Sequence, residues 1–361
     1  MRNKFYSLRN ILTKNAQYNI IFGERSNGKT YAVLKYAIEQ YYKDGSQLAI
    51  IRRWQDDFTG KRGATMFDSL TANHEIYNIT KGEWSGVYYY GSRWYLCTFD
   101  ENGKRVTDDI PFAYGFSITS MEHDKSTSYP NIKTICFDEF LSRNGYLQDE
   151  FILFMNVLST IIRHRKDVKI FMLGNTVNKY CPYFKEMGLD HIRQMKEGDI
   201  DVYRYGDSDL LVAVEYTKPN KAGKDSDSYF AFNNPKLSMI TGGAWEIDVY
   251  PHCPVKYKPK EILFIYYIEF NEDVLQCEII QHEEMLFTFI HRKTTPLDYN
   301  NDYIYTTEYS PKPNIRRCIT KPRTNIEKKI AEFYIKDKIF YASNEIGEIV
   351  RNYLMWCGKT K

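Results

Sequence analysis

Apolar positions follow two rhythms along the first half of the chain. "QYNIIF", "SQLAIIRR", "IKTICFDEF" and "VKIFMLGN" are near-continuous apolar runs, the pattern of strands covered on both faces. Between them, "KTYAVLKYAIEQYYKDG" and "DEFILFMNVLSTIIRHR" space their apolar residues as amphipathic helices do. The alternation predicts an α/β domain over residues 1–200, with a mostly parallel sheet and helices on both sides. "SGVYYYGSRWYLCTF" and "RVTDDIPFAYGFSI" predict hairpin strands joined by the turn "DENGKR".

Past residue 200 the pattern changes. "KPNKAGKDSDS" and "ITGG" are polar and Gly-rich, so 201–251 is expected to be a linker or small lid. From 252 onward, "EILFIYYIEF", "VLQCEIIQHE" and "EMLFTFIHRK" predict three consecutive antiparallel strands. "TNIEKKIAEFYIKD" and "NEIGEIVRNYLMW" predict two helices after them. The expected third unit, 252–361, is therefore a small α+β domain.

Composition narrows the classes. A net charge of +3 does not by itself announce a nucleic-acid partner, which would need a local basic patch. The seven cysteines are scattered without a CxxC pair, which suits free thiols in a reducing compartment. The histidines show no zinc spacing. With no apolar run near 18 residues and no leader-like pattern, the expectation is a cytosolic protein without membrane contact.

The chemistry concentrates in Gly23-Glu24-Arg25-Ser26-Asn27-Gly28-Lys29-Thr30, which fits GxxxxGK[ST] between a strand and a helix. Glycines at both ends let backbone N–H groups turn inward on a phosphate, and the helix N-terminus adds its dipole. Lys29 can reach the β- and γ-phosphates, and Thr30 offers a hydroxyl to Mg²⁺. "TICFDEF" supplies the acids. Asp138, at a strand's end, suits the metal shell, and Glu139 suits orientation of the attacking water. Both readings make ATP and Mg²⁺ the expected cofactors. Asn175, ending "KIFMLGN", would lie beside the γ-phosphate if its strand neighbours the P-loop strand. Arg163 and Arg165 close the second long helix, where basic residues suit the helix dipole. An exposed helix end is also a workable place for an arginine that serves a neighbouring subunit.

"GERSNGKT", "IIRRW", "KSTSYPNIKTICFDEF", "IIRHR" and "LGNTVN…PYF" occur in an order and spacing that resembles the DNA-packaging (encapsidation) ATPases of small tailed phages, the φ29-like group. The resemblance covers 15–185 well and the last third loosely. It implies a P-loop ATPase of the additional-strand, catalytic-glutamate (ASCE) class. Such a protein forms a ring, of five, on the portal (connector) of a prohead in the host cytoplasm and drives double-stranded DNA inward. It further implies that Arg163 acts in trans and that Lys125 lies toward a subunit boundary. The C-terminal domain would resemble an RNase H-like nuclease without its cutting acids. Glu269 and Glu278 lie near strand ends there, with no Asp in the first strand.

Two stretches could meet nucleic acid. The loop "RRWQDDFTGKRGAT" offers Arg53, Lys61 and Arg62. Residues 309–338 hold nine Lys or Arg against three acids, Arg316, Arg317, Lys321 and Arg323 among them. That excess suits sequence-independent phosphate contacts with DNA or a structural packaging RNA, or a docking face for the portal. Two other readings stay open: a non-viral translocase or helicase of the same ATPase class, and a nucleotide-dependent nucleic-acid-binding scaffold.

Overall fold

A computed structural model describes residues 6–120, 127–143, 145–218 and 250–359. Lys125 and most of the expected lid lie outside the described residues. The chain divides into two compact units, Met1–Trp245 and Glu246–Lys361.

Ten strands of the first unit form one sheet among the described residues: β1 (Tyr18–Gly23), β2 (Gln47–Arg52), β3 (Gly86–Tyr90), β4 (Arg93–Phe99), β5 (Arg105–Thr107), β6 (Ala113–Ser117), β7 (Ile132–Asp138), β8 (Lys169–Asn175), β9 (Ile200–Arg204) and β10 (Leu211–Tyr216). Their order is β3-β4-β6-β2-β7-β8-β1-β10-β9, with β5 paired to β4. From β6 to β10 every neighbouring pair is parallel. The outer pairs β3–β4, β4–β6 and β9–β10 are antiparallel.

The near-continuous apolar strands are what a two-faced sheet requires. Ile20, Phe22, Ile51, Ile135, Phe137 and Met172 pack with Phe154, Val157 and Ile161 of the helix Glu150–Ile162. Their alternates Ile21, Ile50, Cys136, Phe171 and Leu173 pack on the other face with Val33, Leu34, Ala37 and Ile38 of the helix Lys29–Asp44. Both helices run back across the sheet between parallel strands, so the C-terminal ends of β1, β2, β7 and β8 share one edge.

Two expectations change. "RVTDDIPFAYGFSI" is not one strand. β5 pairs antiparallel with β4 across the expected turn, whereas β6, beyond Pro111, runs parallel to β2. Nor does the first domain stop at 200. β9 and β10 extend its sheet, and β10 lies parallel to β1. Polar composition downstream masked the apolar run "DLLVAVEY".

The second unit carries the expected antiparallel meander: β11 (Ile262–Phe270), β12 (Asp273–His282) and β13 (Met285–Arg292). Short strands β14 (Ile304–Tyr305), β15 (Ile315–Arg316) and β16 (Ile339–Tyr341) extend it in the order β15-β14-β11-β12-β13-β16. β14 is parallel to β11, and β16 to β13. The helices Asn325–Ile335 and Asn344–Lys359 follow, as the sequence predicts.

Candidate nucleotide site

The loop 23–28 leaves β1 and enters the helix Lys29–Asp44 through backbone that glycine favours. Gly28, the N-cap, has φ of 92°, and no side chain caps the helix. No acid occupies the first turn, so the first N–H groups have no competing carboxylate on their own helix. At Gly23 the constraint is space as well as φ: a Cβ there would stand 2.1 Å from Thr217 Oγ1. Thr217 in turn accepts from Asn27 Nδ2 at 2.8 Å, fixing the loop to the end of β10. Tyr6 ties the same loop to β10 as well. Its N–H donates to Asn27 O at 2.9 Å and its hydroxyl to Glu215 Oε2 at 2.5 Å.

Lys29 turns back into the loop. Its ammonium donates to Glu24 O at 2.6 Å, Asn27 Oδ1 at 3.2 Å, Asn175 Oδ1 at 3.3 Å and Gly23 O at 3.5 Å. Burial pushes its pKa down to about 8, against the opposing pull of Asp138 and Glu24. Every partner is an oxygen acceptor, the chemistry a phosphate oxygen also presents. Asn175 reaches Lys29 because β8 adjoins β1, with Gly23 opposite Asn175. That adjacency is the condition the sequence set for it.

Thr30 Oγ1 donates to Asp138 Oδ1 at 3.1 Å. Asp138 is buried, while the Glu139 side chain is 67% exposed and its backbone holds φ of 61°. A non-glycine residue in that region stores strain, which recurs at functional sites. Hydroxyl and carboxylate together make a hard-oxygen pair suited to Mg²⁺. The residues present thus fit a magnesium nucleotide: a glycine cradle, a lysine surrounded by oxygens and an oxygen pair for the ion.

Sequence reasoning missed Arg52. Its Nη2 lies 2.8 Å from Asp138 Oδ2 and its Nη1 2.7 Å from Glu139 Oε2, so one guanidinium bridges both acids. Strand parity could have found it. Arg52 is in phase with Ile50 and Asp138 with Cys136, both on the face of the Lys29–Asp44 helix.

Arg53, on the opposite parity, corrects an expectation. It was expected to touch DNA, yet it is buried, with both Nε and Nη2 at 2.8 Å from Glu150 and Nη2 at 3.0 Å from Phe140 O. Lys61 and Arg62 do lie exposed, on the short helix Gly60–Ala64.

Arg163 and Arg165 stand far from this cleft. The helix Glu150–Ile162 returns to the N-terminal edge of the sheet, ~20 Å away at 1.5 Å per residue. Arg165 donates to Pro130 O, Ile132 O and Ile161 O, clasping the helix end to the start of β7. Arg163 is exposed, and among the described residues its side chain donates from Nη2 to Thr127 O at 3.1 Å.

In the second unit Arg316 also departs from expectation. Its Nε is 2.7 Å from buried Glu327, so its charge is spent inside the unit. Arg317 lies over the Tyr309 ring at 3.7 Å, and Lys321 and Arg323 are exposed. Glu278 accepts from Tyr257, Gln276 and His291, and Glu269 from Tyr299. Among the described residues no group of three or more His, Cys, Asp or Glu is placed to hold a metal.

β8 stands between the P-loop strand and the acid-bearing strand, and a glutamate follows the aspartate that faces Thr30. That arrangement places the chain among the P-loop proteins of the additional-strand, catalytic-glutamate class. Comparison with known proteins is narrower. Residues 1–195 match the Podovirus DNA encapsidation protein (Gp16) family, and the chain belongs to that family. It is 28% identical over 189 residues to the DNA packaging protein of Bacillus phage phi29, covering 51% of this chain and 50% of that protein. With the DNA packaging protein of Bacillus phage B103 it shares 29% over 177 residues, 47% of this chain and 48% of that protein. The chain thus spans about half the length of the curated relatives it matches. Its fold resembles a chain of the bacteriophage phi29 viral genome packaging motor assembly, with a TM-score of 0.54, 19% identity and 97% of both chains covered. At that identity the likeness speaks for the fold alone.

Proposed function

We propose that this chain is an ATP-driven motor that moves double-stranded DNA into a prohead through its portal, working as a ring of five in the host cytoplasm. The observation that carries the reading is the Thr30–Asp138 contact with Glu139 projecting beside it: a metal pair and a base at the mouth of a phosphate loop. Family membership supports the polymer and the vessel.

Thr30 and Asp138 would hold Mg²⁺, and Lys29 with the N–H groups of 23–28 would hold the phosphates. Magnesium-bound ATP supplies the phosphoanhydride whose breakdown releases free energy. The chain's own residues do the rest. Glu139 accepts a hydrogen bond from a water and orients it. Lys29 exchanges carbonyl partners for phosphate oxygens. Asn175, bonded to that lysine at the end of β8, relays the loop's state to the sheet. Arg163, too distant for its own cleft, serves a neighbour's. Lys61 and Arg62 contact the DNA backbone, with Lys321, Arg323 and Arg317 as a second basic surface for DNA, portal or a structural RNA. In the second unit, the three-strand meander flanked by parallel β14 and β15 supports an RNase H-like reading. With Glu278 and Glu269 spent on local partners, that unit binds rather than cuts.

The test is Glu139→Gln in the full chain with proheads, DNA and ATP. Retained nucleotide binding with turnover down roughly 10²–10⁴-fold, and no DNA uptake, is the expected result. Undiminished hydrolysis by that variant would remove the site from its role.

A further inference from the structure

We infer that one face of the antiparallel strands β3, β4 and β5 is a stacking platform for single-stranded DNA, on residues apart from the nucleotide site and from the basic stretches described above. The inference goes beyond the motor reading and takes from it only the polymer.

Register builds the face. Tyr88 pairs with Tyr95, Tyr90 with Arg93 and Phe99 with Arg105, so these six side chains share one side of the strands. The alternate positions turn the other way. Trp94 and Leu96 are buried there, with Trp94 edge-on to Phe58 and Phe67. On the first side Tyr90 is 69% exposed and Phe99 62%, and both arginines are exposed. The guanidinium of Arg105 lies over the Tyr88 ring at 3.7 Å, and the Tyr88 and Tyr95 rings are 6.4 Å apart.

A sheet side that meets only water carries small polar and charged residues. This one carries four aromatic rings and two arginines, and no Asp or Glu occurs in any of β3, β4, β5 or β6. Tyrosine and arginine also mark protein interfaces. Two arginines without a single acid among them favour a polyanion, whose phosphates accept from the guanidinium edges while its bases lie on the rings.

Spacing selects a single strand over a duplex. Side chains on one face of a strand recur about every 7 Å. Stacked bases of one duplex strand are about 3.4 Å apart and hide their flat faces from one another. Rings set at twice that interval suit bases that have left the stack. Such contacts are tolerant of sequence, because every base has a π-face. The platform therefore fits a strand separated from its complement, as at a frayed end.

The experiment measures fluorescence anisotropy of labelled oligo-dT, oligo-rU and blunt duplex DNA of equal length with the full chain. Oligo-dT should bind most tightly. Tyr90→Ala combined with Phe99→Ala should weaken it roughly 10–100-fold and leave duplex binding unchanged. Arg93→Ala with Arg105→Ala should lower the salt slope for oligo-dT by about 1.4. Phe99→Trp should keep the affinity, and its added emission should be quenched by oligo-dT, a signal that a merely structural ring would not give. That variant also carries the test if the alanine pair fails to fold. Wild-type affinity in the alanine pair, equal loss on duplex, tighter binding of oligo-rU, or no quenching of Phe99→Trp overturns the platform. These measurements contain no ATP, so their failure and a failure of the motor reading are separate results.

Discussion

The acids of the two sheets are treated in opposite ways. At the C-terminal edge of the first, Asp138 accepts from the Thr30 hydroxyl and the Glu139 N–H, one guanidinium bridges both acids, and the Glu139 side chain remains largely exposed. In the second, Glu278 is enclosed by a phenol, an amide and an imidazole, Asp273 by Arg292, and Glu327 by Arg316 and Thr324. Burial raises the Glu278 pKa, but hydrogen bonds from His291, Tyr257 and Gln276 more than offset it and hold the carboxyl below its ordinary range. An acid saturated by its own fold stabilises that fold. An acid left with open lone pairs is available to a ligand.

The sharpest way to break that contrast is to remove the lysine among the oxygens. Lys29→Ala should weaken nucleotide binding by at least roughly 100-fold, measured by titration of a fluorescent ADP analogue. Its folding transition should stay near that of wild type, because the lysine's burial is a cost that the loop carbonyls only partly offset. Glu278→Gln should do the reverse. Nucleotide binding and turnover should not change, while chemical unfolding of the second unit should show a loss of ~1–3 kcal/mol. A fall in turnover with Glu278→Gln would erase the distinction between the sheets.

Acidity sharpens the comparison further. Burial pushes the Lys29 ammonium down from its ordinary 10.5 to about 8. Between those limits the unfolded chain holds a proton that the folded chain has released, so folding stability gains with pH across that window. Nucleotide binding needs the ammonium, so affinity should fall as pH rises through about 8, by up to about tenfold per unit. Calorimetry at pH 8.5 should record proton uptake on binding. Lys29→Arg, charged throughout, should abolish that uptake. The smallest effect belongs to the exposed helix. Lys61→Ala with Arg62→Ala should lower the salt slope of DNA binding by about 2 and leave nucleotide affinity alone.

Much of this was legible in the chain because local rules agreed. Glycine spacing, apolar runs and helical periodicity all pointed to one loop and one sheet edge, and the residues 23–30, 138, 139 and 175 meet there. The misreadings arose where neighbours in sequence part company in space. Arg52 and Arg53 share a dipeptide, but strand alternation sends one to the acids and the other into the core against Glu150. Arg316 looked like part of a basic surface because charge counting along 309–338 does not reveal that Glu327 folds inward to meet it. β10 was missed because its parallel partner, β1, lies nearly two hundred residues away.

The helix Glu150–Ile162 has one last consequence. By carrying Arg163 to the far edge of the sheet, it leaves a solitary molecule with a guanidinium that cannot touch its own phosphate loop. If Arg163 serves a neighbouring copy, as proposed, dilution should slow each copy and crowding should quicken it. A rate per copy that stays constant across protein concentration would overturn that role.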